Sequence, residues 1–459
     1  MSATYALSLH IFRRDLRLQD NSALIAALSS SQQVIVCFIL DDRQITDKNA
    51  YKSKPALQFM LHSLQELRAA IEEKNGKLYI FSGIAEEVVA KLIHQLPIEA
   101  VFVNRDYTIF SKERDRKIEK CCADKKIDFH SYADALLHEP EQVLKADKTP
   151  YTIYTPAARH ARQFAIDKPT ARASYHFYNK PIALENDLLF QQLSQQKISG
   201  LYLQGGRKEA LKLLEKIKQL QNYKETRDFP NLNKTSHLSA HNKFGTVSVR
   251  EVYWQIVNAF GTQHTLTNEL YWRDFFTHIA FHFPRVFKGA FLDKFKNIKW
   301  SHNEKHFTAW CNGMTGFPIV DAGMRELNAT GYMHNRVRMI VASFLCKDLH
   351  INWQEGEKYF AHKLVDYDPA VNNGNWQWAA STGCDAQPYF RIFNPWLQQE
   401  KFDQDCLYIK HWIPELSHSD SKSIHRRYQA QLGFDMGDYP LPIVDHAIAS
   451  SHTKSLYKP

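Results

Sequence analysis

The sequence predicts a two-domain protein, in which an α/β domain with a parallel sheet is joined to a mostly helical domain. Its 459 residues exceed what one hydrophobic core usually organises. Short runs of β-branched and aromatic residues alternate with an amphipathic segment in the first third. All nine Trp lie after residue 250, so the largest aromatic side chains are concentrated in the second half. We therefore predict an α/β domain (1–132), an extended connector (133–203) and a helical domain (204–459).

Four strands are predicted in the first domain, at Tyr5–Phe12, Val34–Leu40, Lys77–Phe81 and Ala100–Asn104. Between the second and third, apolar residues recur at helical spacing from Leu57 to Ile71 and predict an amphipathic helix. Strands that alternate with helices indicate a parallel sheet covered by helices on its faces. Neither GxGxxG nor GxxxxGK[ST] occurs, so no conventional dinucleotide or nucleoside triphosphate site is indicated.

The connector is predicted from its prolines, which would interrupt any long element between Ala133 and Leu203; they are Pro140, Pro150, Pro156, Pro169 and Pro181. After Gly205-Gly206 the pattern becomes helical. Segments such as VREVYWQIVNAF and RVRMIVASFLCKDL each have one apolar face. No repeat of fixed period and no low-complexity tail is present.

Charge and cysteine content limit the class of protein. The formal net charge is +9 and the pI about 9.0, which fits a nucleic-acid partner but also fits many proteins without one. The seven Cys are scattered and form no CxxC, so neither a disulfide framework nor a zinc ribbon is indicated. With no signal-peptide pattern and no apolar run long enough to span a bilayer, we expect a cytoplasmic protein without membrane contact.

The segment Tyr332–Pro395 has the composition of a site, since it combines cations, paired acids, amides and two Trp in a short span. Asp366 and Asp368 are too close for separate helical turns, which favours a loop that directs both carboxylates at one object. Such acids can also be solvated or bind a hard metal, but no further oxygen ligands follow at a useful spacing. Two His pairs have i, i+4 spacing (His237/His241 and His302/His306) without the rest of a zinc pattern, so we expect no metal.

Five blocks in order along the chain resemble the DNA photolyase and cryptochrome family. The similarity is closest to class I photolyases that act on cyclobutane pyrimidine dimers. It implies a light-driven carbon–carbon lyase that uses FAD, with damaged DNA as its partner. The blocks are IFRRDLRLQDN, TSHLSAHNKFG, ELYWRDFF, TGFPIVDAGMRELNATGYMHNR and NNGNWQWAASTGCDAQPYFRIFNP.

The resemblance implies the residues that would bind FAD. Its phosphates would be held by Tyr223 and the run Thr235, Ser236, His237, Leu238 and Ser239, and its ring would lie near Arg338, Asp366, Tyr367, Asp368 and Asn372. Hydroxyls at a helix start also suit a simple N-cap. His237 stands where many relatives have Arg or Gly. Asn372 would lie beside the reactive flavin nitrogen, where plant cryptochromes usually have Asp and animal ones Cys, so Asn favours the repair enzyme over the photoreceptor.

A lesion pocket is implied as well. Two fused pyrimidines present apolar faces and carbonyl edges, which aromatic and polar side chains can match. Catalytic contacts would come from Glu269, Asn335 and Met339 with Asn372, and further DNA contacts from Arg227, Trp272, Arg273, Arg336, Trp378 and Gln398. The (6-4) photolyases have His at the positions of Asn335 and Met339, so the pocket favours cyclobutane dimers.

The same resemblance assigns Trp376, Trp353 and Trp300 to a chain that carries electrons from the surface to the flavin, although each Trp would equally suit a buried core. For the antenna we expect 5,10-methenyltetrahydrofolate, or else a deazaflavin or none. Thr108 stands where folate-binding relatives have Glu, and Asp106 or Glu113 could substitute for it. We expect a monomer without an obligate protein partner.

Three alternatives stay open. One is a cryptochrome-type photoreceptor on the same fold. Another is a relative that prefers single-stranded DNA. The third is a non-catalytic basic nucleic-acid-binding protein, which would purify colourless.

Overall fold

The computed structural model describes residues 4–171, 174–196, 198–427 and 438–458. The strands are β1 (Tyr5–Phe12), β2 (Ser31–Leu40), β3 (Leu78–Ser82), β4 (Ala100–Asn104) and β5 (Asp128–Tyr132). The helices between them are α1 (Ser22–Ser30), α2 (Asp42–Ile45), α3 (Lys54–Glu72), α4 (Ala85–Gln95) and α5 (Ile109–Ala123).

Helices dominate the rest of the described chain. They are α6 (Tyr154–Ala161), α7 (Leu188–Gln195), α8 (Arg207–Lys216), α9 (Tyr223–Thr226), α10 (Ser239–Phe244), α11 (Val249–Phe260), α12 (Thr265–His282), α13 (Glu304–Asn312), α14 (Pro318–Thr330), α15 (Asn335–Lys347), α16 (Trp353–Lys363), α17 (Pro369–Ala379), α18 (Pro395–Phe402), α19 (Leu407–Trp412), α20 (Ser421–His425) and α21 (His446–Leu456). No helix in these residues is both long and apolar enough to cross a membrane.

The five strands form one parallel sheet in the order β3-β2-β1-β4-β5. Central β1 pairs on both sides, with Leu9 opposite Ile35 of β2 and Val101 of β4. Residues of α1 and α3 pack on one face, and residues of α4 and α5 pack on the other. The predicted α/β domain is confirmed, and so is the helical second domain.

The predicted strands agree closely with the sheet. Predicted β1 and β4 have the observed bounds, β2 begins three residues earlier, and β3 is shifted by one residue. Strand β5 was missed. Its sequence DFHSY has a single large apolar residue among polar ones, because an edge strand on the solvent side needs little apolar surface. The amphipathic helix from Leu57 to Ile71 lies within α3.

The connector is less extended than predicted. It contains α6 and α7, and its residue Phe177 forms a bridge with Val34 at the sheet. Pro156 does not interrupt α6 because it lies in the first helical turn, where its missing N–H has no intrahelical partner to lose. The boundaries at 132 and 203 remain predictions.

Buried ion pairs tie the first domain to the second. Arg17, which follows β1, donates to Asp134 at 2.7 Å, and Arg250 of α11 donates to the same carboxylate at 2.9 Å. Asp20 receives a further bond from Arg250 at 2.9 Å. The block IFRRDLRLQDN therefore supplies two anchors between the domains, Arg17 and Asp20, and both side chains are held by protein partners.

Gly356 allows α16 and α17 to approach closely. A Cβ at this position would collide with the Trp376 ring and with Leu345. Crowding of this kind costs about 1–3 kcal/mol, against about 1 kcal/mol gained from better helix propensity. We therefore expect Gly356→Ala to lower the free energy of unfolding by up to about 2 kcal/mol, measured by chemical denaturation. Gly289→Ala is the control because no atom lies within 4 Å of its Cβ, and equal stabilities would contradict the packing argument.

Candidate active site

An ion pair between α15 and the segment before α17 forms the centre of the site. Arg338 binds Asp366 through two bonds, with Nη1 3.2 Å from Oδ1 and Nη2 2.9 Å from Oδ2. Arg338 Nε also donates to the Met333 carbonyl at 2.8 Å. Bidentate pairing fixes the guanidinium in one orientation. The family resemblance also implies that one of the two acids, Asp366 or Asp368, pairs with Arg338, and the geometry shows that this acid is Asp366.

Asp368 has a different partner from Asp366. It caps α17 by accepting bonds from the N–H groups of Ala370 and Val371, and its other oxygen accepts a bond of 2.6 Å from Arg14. Burial would raise the pKa of Asp368, but nearby cations, above all Arg14, outweigh it and lower the pKa to about 2. The prediction that both carboxylates point at one object is wrong, because the helix cap needs one of them.

Asn372 lies in the first turns of α17, where it is 8% exposed. Its Nδ2 donates to the backbone carbonyl of Glu357 at 3.1 Å. Because this bond uses the amide nitrogen, Oδ1 is left as an acceptor on the other side of the group. Sequence reasoning did not single out Glu357, whose one signal is its place beside Gly356 at the α16–α17 contact.

The run Thr235–Ser239 precedes and opens α10. A cavity of about 460 Å³ lies against it, lined also by Lys216, Lys234 and the buried His241. His237 has φ +53° and packs against Tyr202 and Tyr332. Burial lowers its pKa to about 4, and in the described structure its Nδ1 is buried without a hydrogen-bond partner. Tyr223, the remaining predicted phosphate contact, is buried on α9.

The predicted lesion-binding cations are held by acids. Arg227 forms an ion pair with Glu269 of α12, and Arg336 binds Asp228 at 2.8 Å. Burial raises the pKa of Glu269 even though Arg227 acts in the opposite direction. Arg273 is turned inward, with Nη2 2.6 Å from the Ala135 carbonyl.

The other predicted pocket residues lie on four helices, α12, α15, α17 and α18. Asn335 is exposed at the start of α15, and its Nδ2 is 3.8 Å from Sδ of the half-buried Met339. Trp378 and Gln398 are half-buried on α17 and α18. The Trp272 ring stacks on Tyr154 with centroids 3.6 Å apart and planes at 6°. Tyr154, which sequence reasoning missed, covers one face of the Trp272 indole.

The three Trp assigned to electron transfer have different surroundings. Trp376 and Trp353 are buried, and Trp300 is half-buried with its ring 6.1 Å from Tyr457. Within the described residues, the ring contacts of Trp376 are with Trp310 at 6.1 Å and Phe360 at 5.0 Å. Trp310 was not predicted as part of the site. Trp310 lies beside Trp376 because α13 packs against α14 and α16.

A second cavity, of about 230 Å³, lies at the carboxyl ends of the strands and reaches the helical domain. Its apolar wall includes Phe12, Phe38 and Leu57, and Tyr51 stacks on Tyr367 with planes at 8°. Its charged lining consists of Arg13, Arg14, Asp41, Lys52, Asp106, Arg114 and Lys243. Arg14 Nε and Arg114 Nη2 are buried here without hydrogen-bond acceptors in the described structure.

Both acids considered for folate already have ion-pair partners. Asp106 pairs with Arg14 at 3.1 Å, and Glu113 pairs with Arg116 at the surface. Thr108 caps α5 through the N–H of Ser111. Among the described residues, no three His, Cys, Asp or Glu side chains cluster as a metal site would require.

Comparisons with known proteins agree with this geometry. Residues 265–459 match the FAD binding domain of DNA photolyase, and residues 8–174 match DNA photolyase. The chain is 38% identical over 473 residues to a deoxyribodipyrimidine photo-lyase of Alkalihalophilus pseudofirmus, with 97% of each chain covered.

Two solved structures are similar over nearly the whole chain. An archaeal photolyase from Sulfolobus tokodaii with two FAD molecules has a TM-score of 0.88 at 41% identity, covering 98% of this chain and 99% of that one. A bacterial class III photolyase from Agrobacterium tumefaciens has a TM-score of 0.91 at 36% identity, covering 100% and 98%. With its two-domain fold, its Arg338–Asp366 pair and these full-length similarities, the chain belongs to the DNA photolyase family.

Proposed function

We propose that this protein is a deoxyribodipyrimidine photo-lyase that binds FAD in its helical domain and repairs cyclobutane pyrimidine dimers in DNA. The observation that carries the proposal is the fixed Arg338 guanidinium, held by Asp366 on the segment that leads into Asn372. FAD, when bound and reduced, supplies the light-driven electron that splits the cyclobutane ring. The relatives named as photo-lyases support this assignment over their whole length.

The residues of the site suit such a cofactor. Arg338 presents a rigid cation that stabilises negative charge on a nearby ring, and Asp366 keeps it from collapsing onto other groups. Asn372 offers Oδ1 as a neutral acceptor that cannot supply a proton. The hydroxyls of Thr235 and Ser236, with Lys216 and Lys234 around the adjoining cavity, suit a diphosphate.

DNA would be bound by backbone charge and by aromatic stacking. The net charge of +9 favours a polyanion, and the Trp272–Tyr154 stack supplies a rigid flat surface beside Glu269. Arg227 and Arg336 would exchange their acidic partners for phosphates as DNA binds, which makes association sensitive to salt. The pocket has Asn335 and Met339 at the positions where (6-4) photolyases have His, and this difference favours cyclobutane dimers over (6-4) lesions.

The test is repair of an oligonucleotide that contains one thymine dimer. Reduced protein should restore the intact thymines under blue light and not in the dark. A matched oligonucleotide with a (6-4) lesion should remain unrepaired. A yellow or blue protein that binds the dimer but leaves it unchanged in light would refute the proposal and would favour a photoreceptor of the same fold.

For the antenna, the cavity at the strand ends supports a flavin-type chromophore over methenyltetrahydrofolate. Its apolar walls suit a flat ring, and the unpartnered donors of Arg14 and Arg114 suit an anionic tail. The acids considered for folate, Asp106 and Glu113, already have partners. We expect native protein to release a second flavin or a deazaflavin per chain on denaturation, identified by its spectrum. Ala56→Phe, which fills this cavity, should remove that second chromophore and retain the first.

A further inference from the structure

Glu357 is a buried acid at the contact between α16 and α17. It is 5% exposed, and it faces α17 because Gly356 lets the two helices approach closely. Asn373 Nδ2 donates to Glu357 Oε1 at 3.3 Å. The backbone carbonyl of Glu357 holds the Asn372 amide. Glu357 therefore carries both the buried carboxyl group and the backbone carbonyl that holds Asn372, the proposed flavin contact.

Among the described residues, no cation compensates the charge of this acid. In the described part of the chain, no Lys, Arg or His nitrogen lies within 4.0 Å of the Glu357 carboxylate, and the bond from Asn373 is neutral. The titratable groups that face it from neighbouring elements are the phenols of Tyr51 and Tyr367. Glu355 on the same helix is exposed. A buried carboxyl with this environment favours its neutral form.

Burial accordingly raises the pKa of Glu357 to about 7, and the bond from Asn373 offsets only part of this rise. The carboxyl group therefore titrates near neutral pH. A small change in local charge would shift its protonation, since an added negative charge nearby raises the pKa of an acid further.

We propose that Glu357 exchanges a proton with solvent as the flavin site changes charge: it binds one when the flavin is reduced and releases it when the flavin is reoxidised. The inference rests on the proposed function, because it requires flavin beside Asn372. In an electrode titration, both electrons come from the mediator, and the proton on the Glu357 carboxylate comes from water. Glu357 gives no proton to the flavin. It acts as a positioning residue, because its backbone carbonyl holds the amide of Asn372.

The expected pH dependence follows from the sign of the shift. The pKa of Glu357 is higher with reduced flavin than with oxidised flavin. Between these two values, reduction takes up one additional proton, so the midpoint potential falls more steeply with pH. Below the lower value and above the higher value, the additional slope vanishes.

The experiment is a spectroelectrochemical titration of the holoprotein from pH 6 to 9. The parent should show an added slope equivalent to one proton per two electrons, and Glu357→Gln should lose it. Glu355→Gln, two residues away on the exposed face, should behave as the parent. A parent without the added slope, or a Glu357→Gln variant that keeps it, would overturn the inference.

A second measurement does not depend on the Gln variant. Reduced-minus-oxidised infrared spectra of the parent should show a carboxylic acid band that shifts in D₂O, and Glu357→Asp should move that band. Its absence from the parent, or an unchanged band in Glu357→Asp, would overturn the inference. Dimer repair by the reduced protein is assayed separately. Its loss would refute the proposed function, whereas intact repair with no added slope refutes only the role of Glu357.

Discussion

Trp376→Phe is expected to abolish photoreduction of oxidised flavin, while chemically reduced protein still repairs the dimer. The Trp376 indole is buried on α17, the helix that also carries Asn372. Among the aromatic side chains that could donate an electron, Trp376 is the closest in sequence to this proposed flavin contact. Phe retains much of the packing against Phe360 and Gly356 but is far harder to oxidise. The measurement is flavin absorbance under blue light with an external reductant, followed by repair after dithionite reduction. Loss of both activities would mean that Trp376 is structural.

Two further variants separate the routes by which Trp376 could be reduced. The family resemblance routes electrons through Trp353 and Trp300, whereas in the described structure the Trp whose ring contacts Trp376 is Trp310. If the resemblance holds, Trp353→Phe should slow photoreduction and Trp310→Phe should not. The opposite result would place the route through Trp310 of α13, toward Tyr359.

Trp272→Ala is expected to weaken binding of dimer-containing DNA by roughly ten- to a hundredfold. Removal of an aromatic stacking surface from a nucleic-acid site costs about 1–3 kcal/mol. Undamaged DNA should lose much less affinity, because it is held by phosphate contacts that this change leaves intact. Tyr154 covers one face of the indole and Phe276 also stacks on it with centroids 5.5 Å apart, so the lesion is expected on the part of the indole that these rings leave exposed.

The measurement is a pair of titrations, with dimer-containing and undamaged oligonucleotides at one salt concentration. Trp254→Ala is the matched control, since Trp254 lies on α11 and donates to the Asp167 carbonyl away from the pocket residues. The flavin-to-protein absorbance ratio should stay at the parent value in both variants. Equal losses for the two DNAs, or loss of flavin, would place Trp272 in the core or the cofactor site instead.

The apolar runs and the amphipathic segments of the sequence predicted the fold well. Strands β2 and β4 contain continuous apolar runs because both faces of the sheet are covered, and such runs are visible in one sequence. Strand β5 was not predicted because an edge strand needs little apolar surface and so leaves no apolar run in the sequence. The connector was misjudged because proline was taken as a helix breaker at Pro156, where the first turn tolerates it.

The site was predicted in part, and the misses have one physical cause. The family resemblance implies that one of the two acids pairs with Arg338, and the geometry shows that this acid is Asp366. Arg14, Glu357 and Trp310 were missed because their roles depend on contacts between different elements, which for Arg14 and Trp310 are also distant in sequence. Arg14 lies 354 residues from the carboxylate that it binds. No local pattern records such a contact.

The bond between Arg14 and Asp368 also bears on how the protein is made. The cap of α17, which carries Asn372 and Trp376, is completed by a residue that leaves the ribosome 354 residues before its partner. The parallel sheet can fold before the helical domain has been synthesised. The bond between Arg14 and Asp368 can form only after synthesis has passed residue 368. Loop closure over such a distance is slow compared with local helix formation. A nascent chain would thus pass through a long interval in which its helices exist without a finished flavin site, and cofactor capture would come late in its biosynthesis.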